Sequence, residues 1–280
     1  MQVVKHISGL REALGRVKKG GKTIGFVPTM GALHPGHVSL VEKAGRHTDF
    51  VVVSIFVNPT QFNDKEDLKR YPRDLNKDLT LLAPTACQLV FAPEAEEIYP
   101  APDTRRFDFG EMGTIMEGKY RPGHFNGVAQ VVSKLFEMVQ PDKAFFGLKD
   151  FQQFVIIKSL VKQLTLPVEI VPCDIVRETD GLAMSSRNML LDAAQRKNAV
   201  HISQTLFEAR NKKHGMSVKQ LCEWVVARID ENDYLKTEYF EIVDDEKLQP
   251  VASWDEPVNK VGCIAVHCGK IRLIDNIIFN

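Results

Sequence analysis

Two histidines, His34 and His37, stand in "VPTMGALHPGH", a stretch from Val27 to His37 that also carries two prolines and two glycines. The apolar run before it reads as a buried strand ending at Pro28, and the residues after Pro35 read as a helix. A helix N-terminus presents unpaired backbone N–H groups to an anion, and two imidazoles one turn apart add ring donors to the same place. Gly31 and Gly36 let backbone approach a ligand closely. The chemistry that fits is binding of phosphoryl oxygens. Solvated loop histidines remain the alternative at this point, and a metal pair lacks a third ligand nearby in sequence. The two commonest phosphate-binding patterns, GxGxxG and GxxxxGK[ST], are absent.

Three further stretches carry polar groups next to apolar runs. "FVNPTQF" (56–62) supplies Asn58 and Gln61, uncharged amides with donor and acceptor atoms. "FFGLKDFQQ" (145–153) supplies Gly147 for close approach, Lys149 as a point charge for phosphate, Asp150 for ribose hydroxyls, and Gln153 on the same side of a helix start as Asp150. "AMSSRN" (183–188) supplies the hydroxyls of Ser185 and Ser186 and the guanidinium of Arg187. "GCIAVHC" (262–268) invites a metal reading through Cys263, His267 and Cys268, but strand alternation sets Cys268 on the opposite face from the other two.

The elements that must hold these groups alternate. Strands are expected at 23–28, 50–57, 89–93, 143–147 and 168–176, with helices at 37–47, one or two over 66–87, and at 127–140 and 150–164. That order implies a doubly wound, Rossmann-like α/β domain with a parallel sheet, in which ligands sit at the carboxyl ends of strands. The pattern changes after residue 176. Amphipathic helices at 191–213 and 217–232 precede strands at 237–244 and 262–279, the latter turning near Gly269 and Lys270. The expected organisation is an α/β domain over 1–176 and a smaller C-terminal α+β domain over 177–280, with the second well placed to act as a lid.

Lys plus Arg and Asp plus Glu are equal at 36 each, which argues against a protein held on nucleic acid by bulk charge. Five scattered cysteines suit reduced thiols. The N-terminal residues lack the apolar run of a signal peptide, and no stretch approaches the roughly 18 apolar residues of a membrane span. A soluble, cytoplasmic protein is expected.

"HPGH" after a first strand resembles the HxGH signature of the nucleotidyltransferase and class I aminoacyl-tRNA synthetase superfamily, and "MSSRN" (184–188) resembles its second signature, the KMSKS loop. With "PTMGALHPGH", "FVNPTQF", "RPGHFNGV", "FFGLKDFQQ" and "SSRN" in order through nearly the whole chain, the sequence is similar to the pantoate–β-alanine ligase (pantothenate synthetase) family. The resemblance implies two steps. Pantoate attacks the α-phosphate of Mg-ATP to give pantoyl adenylate, and the β-alanine amine then displaces AMP. It implies that His34, His37, Lys149 and Arg187 stabilise charge and that Met30 lies beside the histidines. ATP contacts would also come from Gly147, Asp150, Val176 (to adenine), Met184, Ser185 and Ser186. Gln61 and Gln153 would hold pantoate, with Asn58 near it and the β-alanine path. It implies Mg²⁺ with ATP, Asp78 of "DLNKD" (74–78) as a weak ligand candidate, and a homodimer. Leu148 stands where the family more often has a charged residue, and the lysines of KMSKS are missing. His124, in "RPGHFNGV", is expected in a loop that shapes or covers the site. Another nucleotidyltransferase, or a nucleotide- or RNA-binding module without turnover, are the competing readings.

Overall fold

The computed structural model describes residues 1–63 and 65–279. Strands and helices alternate from the start: β1 (Gln2–Val4), α1 (Ile7–Lys19), β2 (Ile24–Thr29), α2 (Pro35–His47), β3 (Phe50–Ile55), α3 (Lys65–Arg70), α4 (Leu75–Leu82) and β4 (Cys87–Phe91). Next come α5 (Ala95–Ile98), α6 (Met116–Tyr120), α7 (His124–Val139), β5 (Lys143–Gly147), α8 (Phe151–Gln163) and β6 (Glu169–Cys173). The chain ends with α9 (Ala193–Lys212), α10 (Val218–Asp230), β7 (Leu235–Asp244), β8 (Lys260–Cys268) and β9 (Ile271–Ile278).

Among the described residues, β1 to β6 form one parallel sheet in the order β1-β4-β3-β2-β5-β6. The central strand β3 explains why: Val51, Val52 and Val53 are all buried, so both faces need a cover of helices. Pro172 is accommodated because β6 is an edge strand, where a missing N–H breaks no ladder. Successive strands run outward from β2 in one direction and then resume on its other side with β5. The reversal puts the carboxyl ends of β2 and β5 at the switch point where open α/β sheets take ligands.

The second sheet is antiparallel, β7-β8-β9, and β8 joins β9 through Gly269 (φ +59°) and Lys270. α9 and α10 pack their Leu206, Leu221, Val225 and Ile229 into a core shared with Ile264, Val266 and Leu273 of this sheet. Two compact units result. One comprises Met1–Leu148 and Ile156–Asp174, the other Lys149–Val155 and Ile175–Asn280. No helix among the described residues is long and apolar enough to cross a membrane.

The α/β fold with a smaller α+β part is as the residue pattern implies. β1 and α1 are additions to it. His124 also lies elsewhere than expected: it is the first residue of α7, not part of a loop.

Candidate functional site

In the first unit, the carboxyl ends of β2 and β3 lie side by side, Thr29 opposite Ile55. The Thr29 hydroxyl ties them by donating to Ser54 O at 2.7 Å. Beyond β2 the backbone turns through two left-handed residues, Gly31 (φ +77°) and Ala32 (φ +49°). This turn points the successive N–H groups of Ala32 and Leu33 into one concavity that favours an anion. The anion is internal. Asp78 of α4 is 3% exposed, and its oxygens accept from Ala32 N at 3.1 Å and Leu33 N at 2.7 Å. A Cβ on Gly31 would meet Asp78 Oδ2 at 2.9 Å, so the close approach that glycine permits here is made to this carboxylate. Burial pushes the Asp78 carboxyl above its ordinary range, against the opposing pull of the two N–H bonds.

The turn delivers His34 to the N-cap of α2. The Nδ1 of His34 accepts from Gly36 N at 3.2 Å, and the Nδ1 of His37 accepts from His34 N at 3.3 Å. Each ring therefore carries its proton on Nε2, as a donor. The ring centroids are 4.1 Å apart, and Pro35 opens the helix at a position that lacks an N–H to satisfy. After β3, Asn58 is 1% exposed and fully engaged. Its Nδ2 donates to Gln61 Oε1 (3.2 Å) and Gly127 O (3.1 Å), and its Oδ1 accepts from Tyr99 Oη (2.9 Å) and Thr60 Oγ1 (3.1 Å). Burial raises the Tyr99 phenol, which keeps it a donor. Gln61 in turn donates from Nε2 to Met30 Sδ at 2.9 Å. Met30, His34, His37, Asn58, Gln61 and Gly147 thus all stand at the carboxyl edge of the parallel sheet.

In the second unit, Lys149 is paired loosely with Asp150 (3.9 Å) and is the more buried of the two. In the first turn of α8, Gln152 is buried and Gln153 half-buried, so the outer amide is Gln153. Val176 O accepts from Met184 N at 3.0 Å, so an adenine contact from Val176 has to use its N–H or share that carbonyl. Ser185 caps a short 3₁₀ turn, its Oγ accepting from Arg187 N at 3.3 Å, and Asn188 fastens the turn by donating from Nδ2 to Ala183 O at 3.1 Å. Ser186 is buried, and Arg187 is half-buried.

A model of the family described as pantoate-beta-alanine ligase matches residues 2–278. The chain belongs to that family. It is 52% identical over 277 residues to a pantothenate synthetase of Porphyromonas gingivalis, covering 99% of both chains. It is 53% identical over 278 residues to one of Phocaeicola vulgatus, again covering 99% of each. Among solved structures, the pantothenate synthetase of Thermus thermophilus is similar at a TM-score of 0.92 and 42% identity, with 99% of each chain covered. A pantoate-beta-alanine ligase from Francisella tularensis, complexed with beta-gamma ATP and beta-alanine, is similar at a TM-score of 0.84 and 35% identity. That match covers 100% of this chain and 98% of the other.

As a member of this family, the chain places its metal candidates unhelpfully for a resident ion. Both Asp78 oxygens are taken by backbone N–H groups, and no group of three His, Cys, Asp or Glu is arranged to hold a metal among the described residues. His267 Nε2 lies 3.0 Å from Glu238 Oε1, while the Cys268 thiol is directed at Gln195 O. Burial raises the Cys268 thiol, and it pushes Cys87, Cys173 and Cys222 up to about 11. Such thiols are poor nucleophiles.

Sequence reasoning missed the positioning role of Asp78, although a signal exists. In α4, Asp78 shares the inward stripe of half-buried Leu75 and buried Leu82, where an acid needs a partner. It also missed Tyr99, the donor that orients Asn58.

Proposed function

We propose that the chain condenses (R)-pantoate with β-alanine to pantothenate at the expense of ATP, through a pantoyl adenylate, releasing AMP and pyrophosphate. The observation that carries the proposal is the edge shared by β2 and β3. It sets two Nε2–H imidazoles at a helix N-terminus beside a buried, preoriented pair of neutral amides.

A carboxylate oxygen of pantoate forms the bond to the α-phosphorus as the bond to the pyrophosphate oxygen breaks. The protein supplies no nucleophile, so its contribution is orientation and charge stabilisation. His34 and His37 donate to phosphoryl oxygens. Lys149, Ser185, Ser186 and Arg187 serve the leaving pyrophosphate, while Met184, Gly147, Asp150 and Val176 serve the nucleoside. Gln61 and Gln153 hold the pantoate hydroxyls and carboxylate, because amides bind a carboxylate without neutralising the nucleophile. Asn58 sets the Gln61 amide, and a direct substrate contact from Asn58 requires exchange of one of its protein bonds. The β-alanine amine then attacks the acyl carbon, loses a proton and expels AMP. Mg²⁺ enters as part of the Mg-ATP substrate, which suits its preference for phosphate oxygens and water. Work as a homodimer in the cytoplasm belongs to the same proposal, and light scattering tests the first part.

The deciding assay supplies ATP, pantoate and β-alanine and reads AMP and pantothenate together. Pantoate-dependent exchange of labelled pyrophosphate into ATP, without β-alanine, is expected alongside. Folded protein that makes pantothenate with no such exchange defeats the adenylate route. Folded protein that makes no pantothenate defeats the proposal.

A further inference from the structure

Strand β9, "IRLIDNII", is apolar along most of its length yet carries Asp275 and Asn276 at its centre, each 4% exposed. Buried polar groups of this kind persist where they are fully partnered. The partner of Asp275 is Arg177, which donates from both guanidinium ends to its carboxylate at 2.6 and 2.9 Å. The same fork donates to Gly181 O (3.1 Å) and Asn276 O (3.3 Å), and it lies over the Phe207 ring at 5.0 Å. Asp275 Oδ1 also accepts from Asn276 N at 2.7 Å. Asn276 reaches onward, donating from Nδ2 to Lys149 O at 3.0 Å. On the other side, Arg177 bridges to Ala183, the residue whose carbonyl accepts from Asn188.

Two separate segments therefore hang from one buried ion pair. One ends in Lys149, the other in Ser185, Ser186 and Arg187. An apolar pair of the same volume would stabilise a core as well as a buried ion pair does. What the bidentate fork adds is a defined orientation for both segments.

We infer that Arg177, Asp275 and Asn276 are positioning residues that hold the cationic groups Lys149 and Arg187 in place for pyrophosphate. The inference rests on the function proposed above. Asn276 acts through Lys149, and Asp275 acts through Arg177 on the loop that leads to Ser185.

The test is a double-mutant cycle between Asn276 and Lys149, read as pantoate-dependent pyrophosphate exchange. Asn276→Ala is expected to lower exchange at least tenfold. Its aminolysis of supplied pantoyl adenylate by β-alanine is expected to stay within twofold of wild type, because that step involves no pyrophosphate. In the Lys149→Ala background the same substitution is expected to cost less than twofold. Equal losses in both backgrounds, or a parallel fall of both half-reactions, overturns the inference in favour of a purely structural role. If Asn276→Ala does not fold, Asn276→Ser, which keeps a shorter donor, enters the same cycle and is judged by the same coupling. Wild-type protein without exchange defeats the functional reading. Wild-type exchange that Asn276→Ala leaves unchanged defeats the positioning network alone.

Discussion

His34 and His37 cap their own helix reciprocally: His34 Nδ1 accepts from Gly36 N, and His37 Nδ1 accepts from His34 N. The pair thus does by imidazole what a Ser/Thr and Glu pair does in an ordinary capping box. The structural bonds use Nδ1, which leaves the ring proton on Nε2, the atom that the proposed function assigns to phosphoryl oxygens.

That division of labour separates stability from catalysis. Loss of an N-cap acceptor costs about 1 kcal/mol, so His34→Ala is expected to lower the unfolding midpoint measurably. His34→Asn keeps an acceptor for the helix but has no ring N–H. It is expected to recover most of the stability, while pyrophosphate exchange stays roughly a hundredfold below wild type. The ¹⁵N shifts of both rings in the free protein should report the Nε2–H tautomer. An Nδ1–H tautomer at either histidine contradicts the cap.

Asp78 makes a prediction with a sign. Folding holds its carboxyl above the ordinary value of 3.8, with burial as the main cause. The native state therefore binds this proton more tightly than the unfolded chain. The stability linked to it is full below the unfolded value and is lost as pH rises through the raised native one. Asp78→Asn removes that titration. It also turns an amide N–H toward one of the two backbone donors, at a cost of about 1–3 kcal/mol. Wild type is thus expected to be the more stable at low pH, with its advantage shrinking as pH rises. Urea midpoints of both proteins across that range decide the matter, and an advantage that grows with pH refutes it.

The regular elements were legible because their signals are local. β3 is a run of β-branched residues, α9 and α10 open on Asp192 with Gln195 and on Ser217 with Gln220, and Gly269 marks the hairpin turn. β1 was not legible. It has three residues, two of them exposed, and owes its existence to pairing with β4. Among the proposed site residues, motif spacing singles out His34, Gln61 and Arg187, yet nothing local shows what holds them. Asp78 grips residues 45 and 46 positions away, His124 meets Gln61 across 63, and Asn276 meets Lys149 across 127. Such contacts exist only once the sheets have formed.

Gly127 sets packing against propensity. It lies inside α7, where Ala is better by about 1 kcal/mol in an unconstrained helix. A Cβ there would run into the Thr60 carbonyl and come within 2.8 Å of Gln61 Cα, both backbone atoms that cannot swing aside. Overpacking of this kind costs about 1–3 kcal/mol. Gly127→Ala is therefore expected to be destabilised, with a raised KM for pantoate as the Gln61 backbone is pushed away. A variant that gains stability shows that propensity wins and that the helix does not press on this loop.

His124 holds the same loop from its other side. It is 6% exposed, with Nδ1 donating to Gln61 O at 2.9 Å and Nε2 receiving from Arg121 Nη1 at 3.2 Å. Its tautomer is thus opposite to that of His34 and His37, and no ring donor is left over for phosphate. Arg121 is itself tied to Glu117 at 3.2 Å, which fixes the direction of the donor. Removing the ring leaves Gln61 O without its buried partner, a loss of about 1–3 kcal/mol. If the role is to place Gln61, His124→Ala raises the KM for pantoate about tenfold, the equivalent of 1.4 kcal/mol, and leaves the KM for ATP near wild type. His124→Asn puts an amide N–H close to where Nδ1 stood and is expected to restore most of the pantoate affinity. A direct role in catalysis predicts the reverse: kcat falls in both variants and the asparagine rescues nothing.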